Sequence, residues 1–132
     1  MKISLLLSLL TAITVSTAIA AETPAPPKKT VPQLRHVVLF KFKDSATPAD
    51  VQRVEAAFRA LPTQIPQIKG FEFGTNNSPE NLAQGFTHCF FLTFDSEAGR
   101  AVYLPHPAHK AFGEVLRPYL DKVLVIDYVV GN

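Results

Sequence analysis

Four segments of this chain read as β-strands that carry apolar residues on both faces, and this constrains its architecture more than any motif does. Side chains alternate along an extended chain. Residues 36–43 (HVVLFKFK) therefore set His36, Val38, Phe40 and Phe42 on one side, and Val37, Leu39 and Lys41 on the other. Residues 86–95 likewise set His88, Phe90, Leu92 and Phe94 against Thr87, Cys89, Phe91 and Thr93. A shorter strand falls at 68–74 (IKGFEFG). The last, at 123–130 (VLVIDYVV), is apolar on both sides apart from Asp127 and Tyr128.

Helical signals lie between these strands. Thr47-Pro48-Ala49-Asp50 combines a capping hydroxyl, a proline suited to the first helical position and an acid at the third. Val51, Val54, Phe58 and Leu61 then recur on one face, and Pro62 is expected to end the helix. Residues 75–85 hold two asparagines, a Ser-Pro pair and a closing glycine, so they read as a long loop. Ser96 caps a short helix running to Leu104, Pro105 and Pro107 break the chain around His106, and a second helical piece spans 108–119.

The resulting order, β-α-β-β-α-β, is the ferredoxin-like α+β pattern. Its helices can cover only one face of an antiparallel sheet, and the other face is ordinarily polar. Here it is apolar and must be buried. A second copy of the same sheet, related by a twofold axis, is the simplest cover, so the expected assembly is a homodimer.

The ends of the chain carry separate information. Residues 1–20 combine a basic start at Lys2, a short apolar run and the small-x-small sequence Ala18-Ile19-Ala20, the pattern of a signal peptide cleaved after Ala20. The run is short for a membrane span. No cysteine follows it to anchor a lipoprotein. Residues 21–33 are rich in proline and read as a linker, leaving 34–130 as the folded domain. The expected location is periplasmic or secreted, with no membrane association after cleavage. The chain has 13 basic and 11 acidic residues, and no basic run interleaves with aromatics, so nucleic acid is not an expected partner. Cys89, the only cysteine, lies in an apolar strand and is expected to be buried.

Residues 34–43 (LRHVVLFKFK), 85–88 (GFTH), 103–109 (YLPHPAH) and 124–128 (LVIDY) are similar to the signatures of the stress-responsive A/B barrel family. The resemblance implies a dimeric α/β barrel of two ferredoxin-like units. Many members have no assigned activity, and one plant member closes a polyketide chain by aldol condensation without metal or organic cofactor. Carried onto this sequence, the resemblance implies a base at His109 and a phenol donor at Tyr103. It also implies a substrate cavity bounded by His36, His88 and Asp127, with Phe58 where the cyclase has a tyrosine.

The residues themselves allow that chemistry. Abstracting a proton beside a carbonyl needs a base and a donor that stabilises the enolate oxygen. An imidazole changes charge near neutral pH and can do the first; a phenol can do the second. Asp127 could fix the tautomer of the base by accepting its other N–H. A plainer reading stands beside this: His106 caps the helix that follows it, and His109 bonds a backbone carbonyl. His36 and His88 would then be core histidines, and the barrel a non-catalytic stress protein.

Overall fold

The computed structural model describes residues 32–130. The signal-peptide reading of 1–20 and most of the linker reading of 21–33 lie outside them. Gln33, assigned to the linker, is instead the first residue of β1 and pairs with Val130.

Element order is β1 (Gln33–Phe42), α1 (Pro48–Arg59), α2 (Leu61–Gln64), β2 (Gly70–Thr75), β3 (His88–Phe94), α3 (Glu97–Tyr103), α4 (Pro107–Leu116) and β4 (Leu120–Val130). The strands form one antiparallel sheet in the order β2-β3-β1-β4, so β1 is central and β4 is an edge. The expected α+β pattern holds. Thr47 and Asp50 form a reciprocal capping box at the start of α1, and Ser96 caps α3. Pro62 corrects one expectation. It does not end α1, which stops at Arg59, but sits in the first turn of α2, where its missing N–H costs nothing.

Burial along β1 alternates from Gln33 to Phe40. Leu34, His36, Val38 and Phe40 are buried under the helices, while the residues between them are partly exposed. Phe58 of α1 stacks on Phe90 of β3 (centroids 4.3 Å apart) and packs on Phe112 of α4 (4.5 Å), joining three elements. Phe58→Ala is expected to lower unfolding free energy by about 3–5 kcal/mol, read from urea denaturation. A loss under about 1 kcal/mol would contradict this packing.

Register gives the opposite face. Val37 lies between Phe91 and Ile126, and Leu39 between Cys89 and Leu124. No element among the described residues covers these side chains. Ile126 is 50% exposed and Leu124 41%. Cys89 shares this face and is therefore half-buried, not buried as expected. Burial pushes its thiol up from the ordinary value.

Candidate functional site

The helices roof β2, β3 and β1 but stop short of β4. Val123 and Val125, on the helix side of that edge strand, remain 49% and 47% exposed. Between them and α4 opens a cavity of about 640 Å³, within the range of small-molecule sites. Its walls are mainly apolar, with Phe40, Phe112 and Leu116 among them, and it brings together His36, Tyr103, His109 and Asp127.

Each polar group is held by a different element. Tyr103 ends α3 and is 1% exposed overall. Burial pushes its phenol well above the ordinary tyrosine value, so it keeps its proton and is able to donate. His109 lies in the first turn of α4, its ring 4.2 Å from that of Tyr103. Its Nδ1 is 3.0 Å from the carbonyl oxygen of Leu104. A carbonyl only accepts, so Nδ1 carries the hydrogen, and in the neutral ring the lone pair is on Nε2.

His36 and Asp127 sit opposite each other on β1 and β4, and Nδ1 of the histidine is 2.6 Å from an Asp127 oxygen. The His36 and Tyr103 rings meet edge to face, with centroids 5.7 Å apart. The carboxylate was expected to orient His109. It orients His36 instead, because the strand register places those two side by side, while His109 finds its acceptor on the backbone.

Two other expected residues lie elsewhere. Phe58 is enclosed in the core and does not line the cavity. His88 sits under α1, with Nε2 3.1 Å from Glu55 and Nδ1 2.8 Å from the Thr87 hydroxyl, and it too is absent from the cavity wall. His106 caps α4 by accepting from the Ala108 N–H, as the plainer reading expects. Sequence reasoning missed Arg100, whose guanidinium is 2.7 Å from the second Asp127 oxygen. Its signal was its place three residues before Tyr103, on the same helical face.

An antiparallel sheet roofed on one side, bare and apolar on the other, with an imidazole–phenol cavity under the roof, defines a small ferredoxin-like protein of the barrel-forming kind. The chain belongs to the stress-responsive A/B barrel domain family, whose model matches residues 34–130. It is 42% identical over 95 residues to the Arabidopsis thaliana stress-response A/B barrel domain-containing protein HS1, spanning 72% of this chain and 87% of that one. It is 34% identical over 95 residues to olivetolic acid cyclase of Cannabis sativa, spanning 72% and 94%. Among solved structures, a hydroxynitrile lyase from Passiflora edulis superposes with a TM-score of 0.71 at 26% identity, over 76% of this chain and 94% of that one. A dimeric ferredoxin-like protein of unknown function from Thermobifida fusca gives 0.65 at 28% identity, over 75% and 92%.

Proposed function

We propose that the protein is an exported homodimer that holds a small apolar carbonyl compound in this cavity and moves a proton at the carbon beside the carbonyl. Export rests on the pattern of residues 1–20. The dimer rests on the uncovered apolar sheet face and on the dimeric relative of the same fold.

One observation carries the chemistry: a buried phenol and an imidazole whose Nδ1 is turned to a backbone carbonyl share a wall, their ring centroids 4.2 Å apart. His109 Nε2 takes the proton. Tyr103 donates to the oxygen on which enolate charge grows. The returning proton, or a second carbonyl of the same molecule, then quenches the carbanion. The second route is an aldol closure, which fits the cyclase among the relatives, and the name of the lyase relative likewise points to cleavage chemistry. Side chains alone suffice for each step, and the apolar walls favour a ligand with little charge.

The test is deuterium uptake at the methylene of 1-phenyl-1,3-butanedione in heavy water, followed by proton NMR. The native protein is expected to exchange it faster than buffer does. A rate equal to that of buffer, with the compound present at saturating concentration, overturns the chemistry. That outcome favours the second reading, a non-catalytic stress protein, with which the backbone bonds of His106 and His109 are equally consistent.

A further inference from the structure

His36 raises a question that the proton transfer at His109 leaves open. It is the one buried histidine in the described sheet, 5% exposed, and it faces the cavity from the strand opposite Asp127. Its Nδ1 is engaged, and no hydrogen bond among the described residues engages its Nε2. Asp127 in turn has both oxygens occupied: one 2.6 Å from His36, the other 2.7 Å from Arg100.

We propose that Arg100 is a positioning residue: acting through Asp127, it locks His36 as the Nδ1–H tautomer and so presents Nε2 as a second basic nitrogen in the cavity. This rests on the cavity being a proton-transfer site. Three facts of placement support it. Arg100 and Tyr103 are three residues apart on α3 and share a face, so the helix that delivers the phenol also delivers the guanidinium. Asp127 stands on an edge strand whose helix side is open, and its side chain is 29% exposed. Alone it would be free to turn towards water. A guanidinium is charged at every working pH, so the carboxylate has a permanent counter-ion and can accept from a neutral ring. The His36 side chain is only 6% exposed, and the hydrogen bond at Nδ1 decides which of its nitrogens bears the proton.

A cavity with a base at each of two positions around one phenol suits reactions in which a proton leaves one carbon and arrives at another atom. Whichever imidazole takes the proton from the first atom, His109 or His36, becomes the Nε2–H acid that returns it to the second, while the other accepts a hydrogen bond from the substrate. Proton number balances within the site, and no co-reactant is needed.

The experiment reads the tautomer directly. Ring nitrogens of the 15N-labelled full-length protein are observed by long-range proton–nitrogen correlation, with His36 assigned by its loss in His36→Gln. In the native protein His36 should show a single tautomer with the proton on Nδ1. In Arg100→Met it should become a mixture of the two tautomers, and Arg100→Lys should restore most of the native signature. Thermal unfolding is followed in parallel. If Arg100→Met does not fold, Arg100→Gln takes its place. A native-like His36 signal in the folded charge-free variant overturns the proposal, and so does a native His36 protonated on Nε2. Diketone exchange in Arg100→Met should fall about tenfold, as outer partners of catalytic groups typically cost. The two readings fail separately: a native protein that exchanges nothing removes the proton-transfer function, while the imidazole spectrum still decides what Arg100 does.

Discussion

Ile126→Asp is expected to convert the dimer into monomers at micromolar concentration, as read by sedimentation velocity. Ile126 is half exposed in the single chain and lies opposite Val37, in the middle of the bare face. Covering the remaining half of its surface contributes about 1 kcal/mol per copy, counted twice in a symmetric pair. An aspartate forfeits this and adds an unpaired carboxylate to an apolar contact, at several kcal/mol per ion. Together these raise the dissociation constant by at least about a thousandfold. Val102→Asp is the control. Val102 is also apolar and 47% exposed, but it lies on α3, away from the sheet face, and its variant should remain dimeric. A native protein that sediments as a monomer at high concentration would remove both the interface and the barrel built on it.

That prediction draws on what the sequence shows best. Strand alternation is local, so the two-sided apolar pattern of 36–43 and 86–95 identified both faces before any register was known. The same holds for the Thr47–Asp50 capping box and the Ser96 cap, which need only neighbours in sequence. The cavity is another matter. It exists because β4 is an edge strand that the helices do not reach, and strand order is a property of the whole fold. The partners at the site are non-local too. His36 and Asp127 are 91 positions apart, and only the β1–β4 register makes them neighbours. Neighbours in sequence therefore pair Asp127 with the wrong imidazole and leave Arg100 out. His88 and Phe58 carry the same lesson in reverse. Each lies on the helix side of the fold, as the pattern implies, but towards α1 and away from the opening at β4.

The largest catalytic effects should come from two substitutions on the shared wall. His109→Ala is expected to slow diketone exchange by about 10²–10⁴-fold, the usual contribution of a positioned base. Tyr103→Phe should slow it by about 10²–10³-fold, the loss seen when one donor to a developing oxyanion is removed. The tyrosine change is the sharper test. It deletes one oxygen and leaves the ring packed against Phe94 (5.2 Å) and His36 (5.7 Å), so the core keeps its shape. Its effect should appear in rate and not in unfolding. His109→Ala also strips the Leu104 carbonyl of its partner, so some loss of stability is expected and must be measured beside the rate. The double variant separates cooperation from coincidence. If base and donor serve one transition state, removing both should cost much less than the product of the single losses, since either loss alone already disables the step. If the two losses multiply, the groups act independently and a shared proton-transfer step is the wrong account. If Tyr103→Phe exchanges the diketone at the native rate, the phenol is a packing residue and the cavity lacks its electrophile.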